Sequence, residues 1–267
     1  MSAAPLNPAQ CDYDVAILGG GLAGLSLAAR LATPQFAHLR VLLTERRTEY
    51  VRDRTWSYWA ASPHPFQAAV AHRWAGWAVG TPGGSVVRAA PPLQYETIPA
   101  DRFYSNALAT VRAAGHIDLR LGTTAEATEM PGSVLVRLQG TTAQAAVAFD
   151  TRPTPSLGGH GLTQIFLGQE VQTEHPVFDP SVATLMDFRG AQAGAAHFTY
   201  ILPTAPHRAM VEDTWFAPPG FSPPDHRGAI ESYLAGLGAG QYQVNFEETG
   251  ALPMDPVFQP RAATRLL

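Results

Sequence analysis

Residues 14–45, DVAILGGGLAGLSLAARLATPQFAHLRVLLTE, decide the fold class of this 267-residue chain. Asp14–Leu18 is a short apolar run that ends at glycine, which is typical of a buried parallel strand. Leu22–Thr33 has the apolar spacing of a helix and is stopped by the proline that follows. Leu39–Thr44 is a second β-prone run, and Glu45 follows it. The pattern predicts a βαβ unit.

The glycines between the first strand and the helix predict a dinucleotide site. Gly19, Gly21 and Gly24 form the G-x-G-x-x-G pattern, with Gly20 between the first two. The first glycine permits a tight turn, the second lets a pyrophosphate approach the backbone, and the third lets helix and strand pack closely. Glu45 follows 21 residues after Gly24, where a carboxylate can accept hydrogen bonds from the adenosine ribose. A glycine-rich turn without a ligand is the less favoured alternative.

The composition excludes several classes of function. All 18 basic residues are arginine, so the phosphate-loop lysine, Schiff-base lysine and lysine-base mechanisms are excluded. No basic run points to nucleic acid. Cys11 is the single cysteine and the nine histidines are scattered, so we expect neither a disulfide framework nor a metal site.

Targeting signals are weak in this sequence. Residues 1–10 show no basic region followed by an apolar run, which argues against a secretory signal. The longest uncharged apolar stretch, Val15–Ala29, is too short to span a membrane. We therefore expect a cytoplasmic chain, for which peripheral contact with a membrane stays open.

The second half of the chain has a different character. Short β-prone stretches separated by proline and glycine predict an antiparallel sheet of meanders: Gln164–Val171, Ala183–Phe188, His197–Leu202 and Arg208–Trp215. A dinucleotide domain interrupted by such a sheet is typical of two-domain flavoproteins, which favours FAD over NAD. Asp150 opens a turn, Asp150–Pro153, that resembles one which flavoproteins place near the cofactor; an ordinary aspartate-capped turn is the alternative.

Seven segments together resemble one protein family. In chain order they are GGGLAGLSLAARL, RTWSYW, FLGQEVQTEHPVFDP, MDFR, YILPT, MVEDTWF and ETGALPM. The chain is similar to bacterial lycopene β-cyclases, which are FAD-dependent carotenoid cyclases, from Asp14 to about Met254. The resemblance implies an α/β fold in which an FAD/NAD(P)-binding Rossmann-like domain of glutathione-reductase type is interleaved with an antiparallel β-sheet substrate domain.

The resemblance also implies domain boundaries. We expect residues 12–60 and 98–160 in the FAD-binding domain, 61–97 and 161–254 in the substrate domain, and 255–267 as a divergent tail. Family members continue past the Gly-Ala-Leu-Pro motif with a segment that returns to the FAD domain, and this chain does not match it. We therefore expect a truncated chain whose parallel sheet lacks a strand, with weak FAD retention and poor solubility.

The family's activity is the cyclisation of lycopene. The resemblance implies conversion of the linear ends to β-ionone rings, through γ-carotene to β-carotene, with reduced FAD and no net redox change. NAD(P)H would be an indirect electron source. The implied partners are lycopene and related apolar polyenes, the inner membrane through peripheral association, and other enzymes of carotenoid biosynthesis, without nucleic acid.

Glu212 is the candidate acid for that chemistry. Protonation of an unactivated C=C bond needs a strong acid in a dry pocket, and burial in an apolar strand would raise the pKa of this carboxyl. Asp213, also a catalytic candidate, would face the other side of a regular strand and so support the site. A solvated turn is the alternative for this pair. Glu170 is a second candidate, with an edge-strand charge as an equal interpretation.

Four aromatic residues are candidates for contact with the polyene. Trp56, Tyr58, Trp59 and Trp215 could line a tunnel and stabilise cationic intermediates with their ring faces. Plain core packing is an equal interpretation. Two alternatives to the cyclase stay open: a flavin monooxygenase acting on an apolar substrate, and an inactive fragment.

Overall fold

A computed structural model describes residues 11–153, 161–191, 193–223, 225–254 and 264–267. The described residues divide into two compact units. The first comprises 11–52, 100–153 and 264–267, and the second comprises 53–99 and the described part of 161–254.

The secondary structure is dominated by strands. In chain order they are β1 (Tyr13–Leu18), β2 (Val41–Glu45), β3 (Thr55–Ala60), β4 (His72–Trp74), β5 (Gly76–Thr81), β6 (Gly84–Ala89), β7 (Gln94–Pro99), β8 (Ile117–Leu121), β9 (Ala125–Met130), β10 (Ser133–Leu138), β11 (Thr141–Asp150), β12 (Thr163–Thr173), β13 (Val182–Asp187), β14 (Ala196–Ala205), β15 (Arg208–Ala217) and β16 (Tyr242–Pro253). The α-helices are α1 (Leu22–Leu31), α2 (Ala100–Ala113) and α3 (His226–Gly236). Within the described ranges, no helix has the length and apolar character needed to cross a membrane.

The first unit is built on a six-stranded sheet with the order β8-β2-β1-β11-β10-β9. The pairs from β8 to β11 are parallel, and β10 and β9 add an antiparallel hairpin to the first half of β11. Every residue of β2 is buried, as expected for a central strand of a parallel sheet that is covered on both faces. The predicted βαβ unit is confirmed as β1-α1-β2.

The C-terminal residues pair with the same sheet. Leu266 forms a parallel bridge with Ala148, and its side chain packs against the apolar core of the first unit. Glu129 on β9 accepts hydrogen bonds from the backbone N–H and hydroxyl of Thr264, at 3.0 and 2.8 Å. Residues 265–267 run beside β11 through this isolated bridge and form no strand, so the expectation that the parallel sheet lacks a strand stays a prediction. The rest of the predicted tail, 255–263, lies outside the described residues.

The second unit is built on a seven-stranded sheet with the order β16-β12-β15-β14-β13-β5-β6. Its strands pair antiparallel except for β13 and β5, which pair parallel. The predicted antiparallel sheet is therefore a mixed one. β12 is a central strand between β15 and β16, which corrects the interpretation of Glu170 as an edge-strand charge.

Each face of this sheet has its own apolar cover. On one face, Ile230 and Leu234 of α3 pack against buried residues of β12 and β15. On the other face, Trp74 and Tyr95 of a three-stranded sheet, β3-β7-β4, pack against Leu202 and Met210. Because side chains of a strand alternate between faces, consecutive residues of β15 enter different environments.

The first boundary between the units differs from the prediction. Residues 53–60, expected in the FAD-binding domain, belong to the second unit because β3 pairs with β7 along its whole length. Residues 154–160, the predicted end of the FAD-binding domain, lie outside the described residues.

Candidate functional site

The glycine turn between β1 and α1 has the geometry that a dinucleotide needs. Gly19 has a φ of 105°, which favours glycine, and a Cβ at Gly24 would overlap the carbonyl oxygen of Gly19. A Cβ at Gly21 would meet no atom of the described chain within 4 Å, so the backbone is open to a ligand there. Gly21 is also the N-cap of α1 and makes no side-chain cap, so first-turn N–H groups are available to phosphate oxygens. The turn fits a dinucleotide pyrophosphate.

Glu45 lies beside this turn. Its carboxylate accepts a hydrogen bond from the Gly20 N–H at 2.7 Å and is paired with Arg47 at 3.1 Å. Burial opposes ionisation of Glu45, but hydrogen bonds from Arg47 and Gly20 outweigh it and hold the pKa of the carboxyl below its usual value. A carboxylate has about four acceptor sites. The Gly20 N–H and three donors of Arg47 occupy all four in Glu45, so a ribose hydroxyl would have to share or displace one of these donors.

Arg47 contacts the glycine turn and was missed in the sequence analysis. Its guanidinium lies 4.5 Å from the ring centre of Tyr50 and donates to the Gly20 carbonyl at 3.1 Å. The Tyr50 hydroxyl donates to the same carbonyl at 2.8 Å. The available signal was an arginine two positions after a strand-end glutamate.

Asp150 lies at the end of β11, opposite Leu18 of β1. Its carboxylate is paired with Arg152 at 2.8 Å, as in an aspartate-capped turn. The next residue, Thr151, was missed: its hydroxyl donates to the carbonyls of Leu18 and Gly19 at 3.1 and 3.0 Å. The Asp150–Pro153 turn therefore does lie beside the glycine turn, and Thr151 makes the direct contact.

In the second unit, Glu212 lies on the face of the large sheet that Trp74 and Tyr95 cover. Thr214, fully buried and two residues along the same face, donates to the Glu212 carboxyl at 2.6 Å. Burial raises the pKa of Glu212 to about 7, the Thr214 hydrogen bond opposes this shift, and nearby Asp213 adds to it. The result is a carboxylic acid that can hold a proton near neutral pH.

Asp213 faces the opposite side, as the alternation of the strand predicts. Its buried carboxylate accepts from His197 at 2.5 Å, from His226 at 2.7 Å and from the Trp215 indole at 3.0 Å. The structure therefore does not bring Asp213 together with Glu212. The carboxylate ties β14 and β15 to the start of α3.

The predicted aromatic set is divided between different surfaces. Trp215 is stacked on His197 with ring centres 4.1 Å apart, on the Asp213 face, so it does not line a tunnel at Glu212. Because side chains alternate along β3, Trp56 and Tyr58 lie on one face of the strand and Trp59 lies on the other. The Tyr58 hydroxyl donates a hydrogen bond to Glu96 at 3.1 Å. Of the four, Trp59 alone lies on the side that leads to Glu212.

Two aromatic residues on that side were missed. Tyr95 lies opposite Trp59 on β7, with ring centres 5.0 Å apart. Its hydroxyl is hydrogen-bonded to Tyr200, the cross-strand neighbour of Glu212. Alternation within the aromatic runs is the signal that could have separated these faces, but the pairing of β3 with β7 had to be known first.

Glu170, the second acid candidate, is neutralised by a neighbour. It forms an ion pair with Arg208 on the adjacent strand. A bound arginine favours the ionised carboxylate, which is the opposite of what a proton donor requires. Among the residues that the structure describes, no group of His, Cys, Asp and Glu could hold a metal ion.

A cavity of about 430 Å³ lies on the Asp213 face, between the sheet and α3. It is lined by His197, Asp213, Ser232 and Tyr233, among others. Tyr233 donates to the fully buried Asp187, which is also paired with Arg189. The cavity is on the opposite face of the sheet from Glu212.

Comparison with known proteins identifies relatives of this chain. The family model described as "Lycopene cyclase protein" matches residues 14–266, including much of the segment expected to diverge. A lycopene beta-cyclase of Pantoea ananas is 30% identical over 253 residues, which are 92% of this chain and 63% of that protein. The chain thus spans less than two thirds of the length of this relative.

Solved structures share the fold at low sequence identity. A geranylgeranyl bacteriochlorophyll reductase-like protein of Thermoplasma acidophilum superposes with a TM-score of 0.70 at 14% identity, over 96% of this chain and 70% of that one. Aklavinone-11 hydroxylase, solved with FAD and aklavinone, gives 0.64 at 17% identity, over 98% and 57%. These likenesses confirm the predicted fold class, and the family match over nearly the whole chain shows that the protein belongs to the lycopene cyclase family.

Proposed function

We propose that this chain is a lycopene β-cyclase, which closes the linear ends of lycopene into β-ionone rings by way of γ-carotene. The observation that carries the proposal is Glu212, a carboxyl with a pKa raised to about 7 by burial, in a chain of the lycopene cyclase family. Ring closure begins with protonation of a C=C bond, and a buried protonated carboxyl supplies that proton.

The surroundings of Glu212 support this role. Thr214 orients the carboxyl through its 2.6 Å hydrogen bond, and the apolar cover on this face keeps water away from a carbocation. We infer that Trp59 and Tyr95, rather than Trp56, Tyr58 and Trp215, contact the polyene, because they lie on the Glu212 side. Their ring faces would stabilise positive charge.

The glycine turn of the first unit would hold FAD. Gly19, Gly21 and Gly24 would receive the pyrophosphate and Glu45 would bind the ribose, in keeping with the open space at Gly21. In reduced form FAD would supply stabilisation of developing charge, since the polyene gains and loses no electrons overall. NAD(P)H is the proposed indirect electron source, and contact with a bilayer is proposed because lycopene dissolves there.

Expression in a lycopene-accumulating bacterium tests the function, with the pigments analysed by chromatography and mass spectrometry. We expect β-carotene of unchanged mass, formed without oxygen. Glu212→Gln should bind flavin normally but form no rings, whereas Glu247→Gln, which changes an exposed glutamate on β16, should retain activity. An oxygen-dependent gain of mass would indicate a monooxygenase, and ring formation by Glu212→Gln would refute the role of this residue.

A further inference from the structure

Glu212, Gly168 and Glu248 form a row across three neighbouring strands. Gly168 on β12 pairs directly with Glu212 on β15 and with Glu248 on β16. Directly paired residues of an antiparallel sheet point to the same face. The two carboxyl side chains therefore lie on one face, with a glycine between them.

The missing side chain at Gly168 leaves a gap that both glutamates border. A Cβ at Gly168 would lie 3.5 Å from Cγ of Glu248 and 3.6 Å from Cγ of Glu212. The Met210 sulfur, 3.2 Å from the same point, closes the gap with an apolar group. Glu248 is only 8% exposed, and Glu212 is partly buried.

The other carboxylates near this row are committed elsewhere. Glu247, next to Glu248, alternates to the other face of β16 and is paired with Arg227. Glu170 is paired with Arg208, and Asp213 faces α3. The three atoms nearest to a Cβ at Gly168 belong to the side chains of Met210, Glu248 and Glu212. The geometry thus singles out Glu248 as the partner of Glu212.

We propose that Glu248 is the second carboxylate of the reaction and removes the ring proton after Glu212 has protonated the polyene. This inference rests on the proposed cyclase function. The Glu212 proton adds to the terminal C=C bond, whose electrons form the new C–H bond and leave a cation. A second C=C bond closes the ring by attacking that cation. A ring C–H bond then breaks, its electrons form the ring C=C bond, and the proton goes to a Glu248 oxygen.

The catalytic cycle closes when that proton returns from Glu248 to Glu212 across the gap at Gly168. Two carboxyls that border one gap favour a state with a single proton between them, because neighbouring negative charges repel. Such a pair supplies an acid and a base at the same time. Neither electrons nor further reactants are needed for the exchange.

A titration without polyene tests the pairing independently of activity. The ionisable groups that the structure places around Glu212 are Tyr95, Tyr200, Asp213 and Glu248. In protein labelled with carboxyl-¹³C glutamate, we expect the Glu212 signal to titrate in two coupled steps and to lose the second step in Glu248→Gln. Glu247→Gln should leave the Glu212 titration unchanged. Independent single-step titration of both carboxyls in the wild type would overturn the inference.

Product analysis supplies the second test. We expect Glu248→Gln to form β-rings roughly 100-fold more slowly than the wild type, at unchanged KM and with isomeric rings that carry the double bond elsewhere. Glu248→Asp should recover part of the rate. β-Ring formation at the wild-type rate by Glu248→Gln would overturn the inference while leaving the proposed function intact. A wild type that shows coupled titration but forms no rings would instead overturn the proposed function.

Discussion

Glu212 and Asp213 are consecutive residues of β15, yet their carboxyl groups lie on opposite faces of the seven-stranded sheet. Glu212 is held by one threonine hydroxyl under an apolar cover, and its pKa is raised to about 7 mainly by burial. Asp213 accepts three hydrogen bonds from two histidines and a tryptophan. One residue of offset along the strand thus separates a carboxyl with a raised pKa from a carboxylate held by three hydrogen bonds, which we call the Asp213 anchor.

The Asp213 anchor predicts a large loss of stability on its removal. Asp213→Ala would leave the buried N–H groups of His197 and Trp215 and the part-buried one of His226 without this acceptor, at a cost of about 3 kcal/mol in the free energy of unfolding. Urea unfolding measures this cost. Asp225→Ala, which removes the exposed N-cap of α3, is the control, with an expected loss of about 1 kcal/mol. A smaller loss for Asp213→Ala than for the control would contradict the anchor.

Glu212 predicts a distinct dependence of stability on pH. Its folded pKa of about 7 lies above the ordinary value of 4.5, so the unfolded chain ionises first as pH rises. The favourable contribution of the protonated folded form is fully present below pH 4.5 and is lost by about pH 7, a change of roughly 3 kcal/mol. Glu212→Gln should lack this fall, which urea unfolding at pH 4.5 and 7.5 can detect. Parallel curves for the two proteins would refute the shifted pKa.

The glycine turn predicts opposite outcomes for two substitutions. Gly24→Ala should destabilise the fold and abolish flavin binding, because its Cβ would overlap the Gly19 carbonyl. Gly21→Val should cost the flavin-free protein only about 1 kcal/mol, because the new side chain would start in open space and the loss is that of a favourable N-cap residue of α1. The same substitution should weaken FAD binding by filling the pyrophosphate position. Thermal unfolding measures the effect on stability and flavin fluorescence the effect on binding. A Gly21→Val variant that binds flavin as tightly as the wild type would argue against a pyrophosphate at Gly21.

The hydrogen-bonded group of Asp187, Arg189 and Tyr233 predicts a moderate contribution to stability where α3 meets the sheet. Burial raises the pKa of Asp187, but hydrogen bonds from Arg189 and Tyr233 outweigh it and hold the pKa below its usual value. Its stabilising contribution is therefore present above the ordinary pKa of 3.8 and is lost as pH falls through the folded pKa. Tyr233→Phe should lower the free energy of unfolding by about 1–2 kcal/mol at pH 7. Because the hydrogen bond that lowers the Asp187 pKa would be gone, acid should begin to destabilise the variant at a higher pH than the wild type. Tyr242→Phe is the control, because the Tyr242 ring packs against the same apolar core beside α3 as the Tyr233 ring. In unfolding experiments it should change neither the stability at pH 7 nor the pH at which acid destabilises the fold.

Local signals predicted the first unit well because its elements follow from contiguous residues. The glycine spacing, the helix and the strand ending at Glu45 lie within 32 residues, and the βαβ geometry restricts how they can pack. Helix α3, His226–Gly236, likewise begins at a local signal, the N-cap Asp225. Alternation alone also placed Glu212 and Asp213 on different faces.

The pairing of strands that are far apart in the chain could not be predicted from the sequence. β6 is exposed along its whole length and so shows no alternating pattern, and β16 was not predicted as a strand although it places Glu248 beside Gly168. Trp215 and Trp56 were grouped with Glu212 because alternation was not applied to the aromatic residues, and for Trp56 the face that leads to Glu212 also depends on the pairing of β3 with β7. Arg47 and Thr151 were missed because their partners are carbonyls of the glycine turn, fixed only by the folded chain.

The sequence by itself indicated the fold class through its βαβ pattern, and the family through the resemblance of seven segments. The same two signals made the glycine turn the candidate dinucleotide site and Glu212 the candidate acid. Only the tertiary structure decided which groups surround Glu212. It separated Trp215 and Asp213 from that carboxyl, brought Tyr95 and Glu248 to it, and paired Leu266 with the first sheet. Strand register is the physical reason, since a shift by one residue moves every side chain of a strand to the other face.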